Sequence, residues 1–238
     1  MAWPSVRLNL AGGEPLLHAT KIPDIVSHAR GLGFEVSLIS NGSRLNDLVL
    51  HQLASQLTWL GISVDSASSV TNRAIGRVDR RGRLLNLDQL ATRLIEASRS
   101  NPELRVKVNT VVNQLNRRED FSDLIRSLAP EKWKALRMLP VVNRKLAVSD
   151  EQFAGFVARH RAFSGILRAE DNHDMRESYL MIDPHGRFFQ NSPLGRGQGY
   201  TYSRPILEIG ARAAFAEMNF DHARFVSRYV RRDAGATG

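Results

Sequence analysis

Two adjacent glycines followed by an acid end the first apolar segment of the chain, and this stretch offers the clearest chemistry in the sequence. Apolar and polar residues alternate over residues 6–10, as they do in a strand. Gly12 and Gly13 then allow backbone conformations that other residues avoid, so a ligand can approach bare backbone. Glu14 adds a carboxylate, and Pro15 suits the first turn of a helix. The stretch predicts a pocket for the ammonium group of a small ligand, and an ordinary strand-to-helix turn is the alternative.

The composition bounds the class of protein. A chain of 238 residues with 42% hydrophobic residues is long enough for one barrel-sized domain with a full core. No apolar run approaches the roughly 20 residues that span a bilayer, and residues 1–4 do not resemble a secretion signal. We therefore expect a cytoplasmic protein with no membrane partner. The chain contains no cysteine, which excludes disulfides, thiolate metal sites and cysteine nucleophiles within it.

The charge balance is basic. Lysine and arginine number 33 against 24 acidic residues, which gives a net charge of +9. Such a balance favours polyanionic ligands, namely nucleic acid, phosphoinositides or a nucleoside triphosphate. The basic residues are dispersed along the chain, so we expect no specific nucleic-acid partner. A basic nucleic-acid-binding protein remains an alternative that depends on charge alone.

Strand and helix patterns alternate over the first 140 residues. This order predicts a parallel sheet with helices packed outside it, and five strands suit an open or partial (β/α) barrel. In that architecture, ligand-binding groups lie where strands end. The predicted strands are 6–10, 34–39, 59–64, 106–112 and 133–139, and the predicted helices are 17–32, 45–57, 85–98 and 121–128.

The pattern changes after residue 139, so we predict two domains, 1–140 and 141–238. Ser149 and Gln152 have the spacing of a capping box that opens a helix to about residue 162. The remaining predicted elements are a hairpin over 178–183 and 187–190, a loop over 192–203, and two tail helices over 207–215 and 221–232.

Seven segments, taken in chain order, carry a family resemblance. Together they resemble the radical S-adenosylmethionine (SAM) enzymes, and within these the viperin family and its prokaryotic members. The resemblance extends from about residue 7 to about residue 228. It implies a partial (β/α) barrel of the radical SAM type that lacks its first βα unit, with a C-terminal α+β extension over the nucleotide site. The segments are 9–15, 40–43, 62–66, 75–77, 107–113, 132–134 and 172–183.

The resemblance implies an activity. Enzymes of this family cleave SAM reductively at a 4Fe–4S cluster, and the resulting 5′-deoxyadenosyl radical removes a ribose hydrogen from a nucleoside triphosphate. Loss of the 3′-hydroxyl gives a 3′-deoxy-3′,4′-didehydro nucleotide that terminates viral nucleic-acid chains. The expected cofactors are therefore SAM and the cluster, and the expected partners are a nucleoside triphosphate and an electron donor.

The resemblance also assigns cofactor residues. The segment from Gly12 to Pro15 matches the element that receives the SAM amino group. Ser40, at the end of the second strand, matches a residue near the methionine part of SAM, although a turn serine is equally consistent with its position. For the pair in the third segment, contact with the SAM ribose and a role in holding neighbouring loops both remain open. The cofactor-binding residues are Gly12, Gly13, Glu14, Pro15, Ser40, Asn41, Ser63 and Asp65.

A basic strand supplies the expected triphosphate site. Lys107 and Asn109 share one face, since residues i and i+2 of a strand point the same way. A lysine inside a barrel is costly unless it meets an anion, so Lys107 is the strongest substrate residue. Lys132 and Lys134 repeat this spacing on the next strand, and a solvated lysine at the strand edge is the alternative for Lys132.

Further residues are assigned in the C-terminal part. Asn172 and Tyr179 match a family region that closes over the nucleotide. The resemblance makes Tyr179 the catalytic candidate, because its hydroxyl can donate a hydrogen bond or a proton near the sugar, and a buried structural tyrosine is the alternative. The additional substrate-binding residues are Asn172, Arg196, Arg204 and Arg228.

The cluster ligands of the family are missing from this sequence. Three cysteines spaced C-x3-C-x2-C hold the cluster in radical SAM enzymes, and the chain has none. We expect either that Met1 is not the natural start or that the gene has decayed, and that the chain does not cleave SAM alone. The alternative is a cluster-free module that binds SAM or a nucleotide and needs a cysteine-bearing partner.

Overall fold

The computed structural model describes residues 6–139, 145–171, 177–191 and 199–225. Within them the chain forms two compact units, one ending at Ala169 and the other beginning at Glu170. The domain division between residues 140 and 141 stays a prediction.

The first unit contains a six-stranded sheet in the order β1-β2-β3-β4-β5-β6. The pairings from β1 to β5 are parallel, which confirms the α/β class and the partial-barrel architecture. The sixth strand was not predicted, because the alternation over Leu167–Glu170 is too short to distinguish from a loop. The strands are β1 (Arg7–Leu10), β2 (Glu35–Ser40), β3 (Trp59–Ser63), β4 (Arg105–Val112), β5 (Lys132–Arg137) and β6 (Leu167–Glu170).

Six α-helices connect these strands, and polar caps mark where several begin. The Asn86 side chain accepts a hydrogen bond from the Gln89 N–H at 2.9 Å and starts α4. The predicted capping box of Ser149 and Gln152 is confirmed at the start of α6. Pro15 opens a short 3-10 helix, Pro15–His18. The helices are α1 (Ile22–Gly31), α2 (Asp47–Leu53), α3 (Ser69–Ile75), α4 (Leu87–Ser100), α5 (Ser122–Leu128) and α6 (Asp150–Arg159).

The two faces of the sheet differ in chemistry. One face is apolar, and side chains such as Leu38, Leu60 and Val108 pack against the helices in a single core. Burial of each such side chain stabilises the fold by about 1.5–3 kcal/mol. The other face alternates with it and carries polar residues, among them Lys107 and Asn109. The period of two along each strand thus separates an apolar face from a polar face.

An aromatic cluster surrounds a buried histidine where β5 meets α6. The His160 ring is fully buried against Trp133, Phe121 and Phe156. Its Nε2 accepts a hydrogen bond from the Phe121 N–H at 3.0 Å, so the proton must be on Nδ1, which donates to the Phe156 carbonyl at 2.9 Å. Burial lowers the pKa of His160 below its ordinary value, and the ring is therefore neutral in the folded protein.

The second unit contains a three-stranded antiparallel sheet, β7 (Met181–Ile182), β8 (Arg187–Asn191) and β9 (Tyr200–Pro205). The hairpin predicted over 178–190 is confirmed by the pairing of β7 with β8. The loop predicted over 192–203 is wrong from residue 200 onward, because β9 pairs with β8 there. Residues 192–198 lie outside the described residues.

The tail differs from the sequence prediction at one glycine. A single helix was predicted over 207–215, but Gly210 has φ +81° and divides the segment into α7 (Ile206–Ile209) and α8 (Ala211–Ala216). Only the beginning of the helix predicted over 221–232 lies within the described residues. No helix in the described ranges is long and apolar enough to cross a membrane.

The buried histidine predicts a pH dependence of stability. The unfolded state, with a histidine pKa near about 6.5, takes up a proton before the folded state does. The free energy of unfolding should therefore fall as the pH is lowered from about 7 to about 5. His160→Gln keeps an acceptor for the Phe121 N–H and should flatten this slope in urea titrations. His51→Gln, at an exposed position on α2, should keep the wild-type slope. An unchanged slope in His160→Gln would contradict the assignment.

Candidate functional site

The loops that follow β1 to β4 lie along one edge of the sheet, because these strands are parallel and in direct register. Gly12 and Gly13 follow β1, Asn41 follows β2, Asp65 follows β3 and Asn113 follows β4. This carboxyl edge is where open parallel sheets bind their ligands. The fold thus brings together residues that are far apart in sequence.

A buried carboxylate joins the first two of these loops. Glu14 is only 9% exposed, and its Oε1 accepts hydrogen bonds from the Leu16 N–H at 3.0 Å and the Ser40 hydroxyl at 2.8 Å. Its Oε2 accepts from the Asn41 N–H at 2.6 Å. Oε2 retains one lone-pair direction. Glu14 therefore holds the loops after β1 and β2 in place, and direct contact with an ammonium group stays a prediction for Oε2.

Some polar groups of the loop after β2 form hydrogen bonds within the protein, and one side-chain donor does not. The Ser40 hydroxyl donates to Glu14 and accepts from the Gly42 N–H at 3.0 Å, which favours the turn-serine alternative. The Asn41 side-chain carbonyl accepts from the Ser43 N–H at 2.9 Å. Within the described part of the chain, the Asn41 side-chain NH₂ has no hydrogen-bond partner. A donor is thus available at this edge.

The two glycines after β1 leave open space beside the backbone. Gly12 has φ +94° and Gly13 has φ +50°, conformations in which residues with a Cβ are strained. A Cβ placed at either position would meet no described atom within 4 Å. A ligand group of small size can therefore approach the backbone at these two residues, as the sequence predicted for an ammonium group.

A second buried carboxylate holds the loops after β3 and β4. Asp65 is 3% exposed, and its Oδ1 accepts from the Val111 N–H at 2.8 Å. Its Oδ2 pairs with the Arg77 Nε at 2.5 Å. The Asn116 side chain donates to the Asp65 carbonyl at 2.6 Å. These contacts favour the loop-holding alternative for Asp65, and its contact with the SAM ribose stays a prediction.

Cations and amides meet on the polar face near the carboxyl edge. Asn109 on β4 is paired in register with Ser63 on β3 and with Lys134 on β5. Asn109 is only 7% exposed, yet neither its amide nor the Ser63 hydroxyl has a side-chain hydrogen-bond partner among the described residues. The amide retains some contact with solvent, because the fully buried side-chain atoms without partners in the described ranges are Glu119 Oε1, Gln190 Oε1 and Thr201 Oγ1. This pair is therefore suited to a polar ligand.

A glycine that the sequence analysis missed makes room for the principal lysine. A Cβ at Gly61 would lie 2.6 Å from the Lys107 Cε and 3.0 Å from the Ile39 Cγ1. The Lys107 side chain therefore lies across the bare backbone of β3. An isolated glycine inside an apolar strand indicates such a close approach, and that was the available signal.

The structure separates Lys132 from the carboxyl edge. Its Nζ lies 4.8 Å from the centroid of the Trp59 ring, at the beginning of β3. The guanidinium carbons of Arg105 and Arg7 lie 5.7 and 5.8 Å from the same ring. Cations bind aromatic faces at such distances. Asn109 and Lys134 are thus in register with Ser63. Lys107 is in register with Gly61 and with Lys132, and the Lys132 ammonium joins the cluster where the strands begin.

The remaining predicted residues belong to the second unit or lie outside the described residues. The Tyr179 hydroxyl donates to the Glu170 Oε2 at 3.3 Å, and Arg204 forms an ion pair with Glu217 at 2.7 Å. The catalytic role of Tyr179 and the substrate contact of Arg204 stay predictions. The residues outside the described ranges are Asn172, Arg196 and Arg228.

The donor set fits SAM better than an iron–sulfur cluster. The open glycines, the Asn41 amide and the free side of the Glu14 carboxylate match the amino-acid end of SAM. A 4Fe–4S cluster needs thiolates, and the chain has no cysteine. Among the described residues there is also no group of three His, Asp or Glu side chains that could hold a metal. The residues of this chain therefore do not fit the cluster.

Replacing Glu14 tests its role in holding the two loops. In Glu14→Gln an NH₂ group faces the Asn41 N–H, so one acceptor is lost and two buried donors oppose each other. We expect a loss of about 1–3 kcal/mol in the free energy of unfolding, measured by urea titration. Glu96→Gln on the exposed side of α4 should change it by less than about 0.5 kcal/mol. Equal stabilities for the two variants would show that the Glu14 contacts do not support the loops.

Solved structures with bound SAM share this fold. The protein anSMEcpe with bound AdoMet superposes with a TM-score of 0.65 at 13% identity, over 93% of this chain and 69% of that protein. SuiB from Streptococcus suis, bound to S-adenosylmethionine, gives 0.63 at 12% identity, over 92% of this chain and 55% of SuiB. At such identities the likeness establishes the fold alone, and it is the radical SAM fold that the sequence predicted.

No protein-family model matches the chain. Three curated relatives are each called S-adenosylmethionine-dependent nucleotide dehydratase. The Psychrobacter lutiphocae relative is 46% identical over 226 residues, covering 95% of this chain and 75% of its own. The Pseudoalteromonas ulvae relative is 40% identical, with 96% and 74% coverage. The Oncorhynchus mykiss relative, RSAD2, is 31% identical, with 93% and 66% coverage. The resemblance is thereby confirmed, and the chain belongs to the viperin family of SAM-dependent nucleotide dehydratases.

Proposed function

We propose that this chain supplies the SAM-binding and nucleotide-binding parts of an enzyme that removes water from the sugar of a nucleoside triphosphate. The observation that carries the proposal is the Asn109 amide, which has no side-chain hydrogen-bond partner among the described residues. It lies in register between Ser63 and Lys134, on the same face of β4 as Lys107. A hydrogen atom would pass from C4′ to the 5′-deoxyadenosyl radical, and the C3′ hydroxyl would leave as water on taking up one proton and one electron from the electron donor. A C3′–C4′ double bond would then form. The product lacks a 3′-hydroxyl, so it would terminate a growing nucleic-acid chain in antiviral defence.

The SAM end of the site is assigned to the loops after β1 and β2. The Gly12 and Gly13 backbone would border the amino-acid part of SAM, and the free lone pair of the Glu14 Oε2 would accept from its ammonium group. The Asn41 NH₂ would donate to its carboxylate. SAM, when bound at a reduced cluster, supplies the radical that removes the sugar hydrogen.

The nucleotide end is assigned to β3, β4 and β5. A triphosphate carries about four negative charges, and fixed cations that are partly shielded from water bind it strongly. Lys107 and Lys134 are such cations, since both are half-buried on the polar face. The Asn109 amide and the Ser63 hydroxyl would form hydrogen bonds with the sugar. Five further residues remain proposed contacts of the nucleotide, and Tyr179 is the proposed proton donor near the sugar. The other four are Asn172, Arg196, Arg204 and Arg228.

The lysines give the first test of this assignment. Lys107→Met should weaken nucleoside triphosphate binding about 10-fold, which corresponds to about 1.4 kcal/mol, measured by titration calorimetry with all four nucleotides. Gly61→Ala should act in the same direction by displacing the Lys107 side chain. Lys132→Met is the matched control, because its ammonium lies against Trp59, and its effect should stay below about 3-fold. An effect of Lys132→Met equal to that of Lys107→Met would contradict the proposed position of the phosphates.

The missing thiolates determine what this chain does by itself. We infer that the 238 residues bind SAM and nucleotide but do not cleave SAM, because the cluster must be held by cysteines outside them. An electron donor is then needed only when those cysteines are present.

Iron reconstitution tests this inference. After incubation with ferrous iron and sulfide, the chain should contain no stoichiometric iron and should form no 5′-deoxyadenosine with SAM and dithionite, while calorimetry still detects SAM binding. Fusion of a cysteine-bearing segment ahead of β1 should restore both iron and 5′-deoxyadenosine. Formation of 5′-deoxyadenosine by the unextended chain would contradict the inference.

A second candidate function is a cluster-free binding module completed by a separate cysteine-bearing polypeptide. An open apolar groove of ≈ 390 Å³ lies beside β1, lined mainly by Leu8, Ile25, Leu32 and Phe34. Leu32 is 65% exposed. Such a groove next to an edge strand suits a strand and helix of another polypeptide. Restoration of 5′-deoxyadenosine formation by a cysteine-bearing segment added as a separate chain would favour this candidate.

A further inference from the structure

Five arginines lie within residues 73–83, in the connection between β3 and α4, and only one acidic residue accompanies them. The tightest part is residues 79–83, here named the arginine turn. It contains Asp79, Arg80, Arg81 and Arg83 around Gly82. Three arginines and one aspartate give this turn a net charge of +2. The sequence analysis treated the basic residues as dispersed and did not single out this cluster.

Internal hydrogen bonds fix the arginine turn. The Asp79 N–H donates to the Arg83 carbonyl, and the Gly82 N–H donates to the Asp79 carbonyl, both at 2.9 Å. The Asp79 carboxylate accepts from the backbone N–H groups of Arg81 and Arg83 at 2.8 and 2.9 Å. Gly82, with φ +71°, supplies the left-handed residue of the turn. Arg73, which precedes the turn in the chain, also stabilises it, because its guanidinium donates a hydrogen bond to the Gly82 carbonyl at 2.9 Å.

The arginines of this turn differ in whether they form ion pairs within the described ranges. The Arg83 Nε pairs with the Asp79 carboxylate at 2.7 Å, and the hydrogen bonds from Arg83 hold the pKa of Asp79 below its ordinary value. Arg80 and Arg81 are exposed, and neither guanidinium has a hydrogen-bond or ion-pair partner anywhere in the described ranges. A rigid tip therefore presents two unneutralised guanidinium groups, which match the oxygens of a phosphate chain.

Both ends of the turn are anchored at the carboxyl edge. On one side Arg77 pairs with Asp65, at the end of β3. On the other side the Leu85 Cδ2 lies 3.2 Å from the position of a Cβ on Gly42, in the loop after β2. Lys134 is two strands away from β3, which is about 10 Å at the usual strand spacing. Arg77 thus joins the segment just ahead of the turn to a strand that lies about one Debye length from Lys134 at physiological ionic strength.

We propose that the arginine turn is a cationic guide that captures the phosphate chain of the nucleoside triphosphate and directs it to the lysines of the polar face. This inference rests on the proposed function. Unpaired charges at the rim of a cleft raise the local concentration of an oppositely charged ligand and speed its association. They contribute little after binding if the ligand moves on to other groups. The guide therefore acts on the association rate rather than on the dissociation rate.

Stopped-flow kinetics with etheno-ATP test the guide, since this probe is fluorescent in its base and keeps the sugar and phosphates unmodified. In Arg80→Gln/Arg81→Gln the association rate constant should fall about 3- to 10-fold at low ionic strength. The dissociation rate constant should stay unchanged. The difference should vanish near 1 M salt, where the Debye length is about 3 Å. Both side chains are exposed and neither has a partner within the described ranges, so the variant should fold normally.

A matched double variant separates the turn from net charge. Arg99, at the end of α4, and Arg161, ahead of β6, are exposed and lie where strands begin. Arg99→Gln/Arg161→Gln removes the same two charges, and its association rate should equal that of the wild type. An equal decrease of the association rate constant in both double variants would overturn the proposed guide. A larger dissociation rate constant with an unchanged association rate constant in Arg80→Gln/Arg81→Gln would also overturn it. Absence of binding of the probe and of all four nucleoside triphosphates by the wild-type protein would instead overturn the proposed function itself.

Discussion

The central constraint in this structure is a parallel sheet that is apolar on only one face. Parallel sheets are usually buried on both faces, and their strands are then apolar throughout. Here β4 alternates, so Val106, Val108 and Thr110 are buried while Lys107 faces the other way. Because the period of a strand is two, a slip of one residue would bury the lysine and expose the core. Burial of the apolar face therefore fixes the register of the sheet.

The same constraint explains why the strand ends are held by buried carboxylates. Loops at the carboxyl edge must leave space for ligands, so apolar packing cannot hold them. Glu14 and Asp65 do so through backbone N–H groups of neighbouring loops and, for Asp65, through Arg77. Hydrogen bonds to a charged acceptor contribute about 1.5–3 kcal/mol each. The shape of the edge thus depends on two acids whose oxygens are largely used by the protein.

Cations are distributed over three places with different surroundings. Lys132 joins two arginines around Trp59 where the strands begin, and Lys107 and Lys134 are half-buried on the polar face. The arginine turn is exposed beside the carboxyl edge of the sheet. Burial decides what each can do, because a charge shielded from water interacts strongly at short range, whereas an exposed charge acts mainly at a distance. A single net charge of +9 conceals this division.

The sequence by itself determined the βα order, the capping box of Ser149, the family and the absence of thiolates, since these depend on local periodicity, spacing and composition. Only the tertiary structure decided that Lys107 lies across Gly61 and that Lys132 turns to Trp59, because identical spacing on neighbouring strands does not specify where long side chains lie. Strand β9 and the break at Gly210 were also missed, because cross-strand pairing and backbone angles are set by contacts between distant segments. Side-chain direction and strand pairing depend on residues that are distant in the sequence, whereas helix caps and strand periodicity depend on neighbouring residues. This is the physical reason why the sequence predicted the second group and not the first.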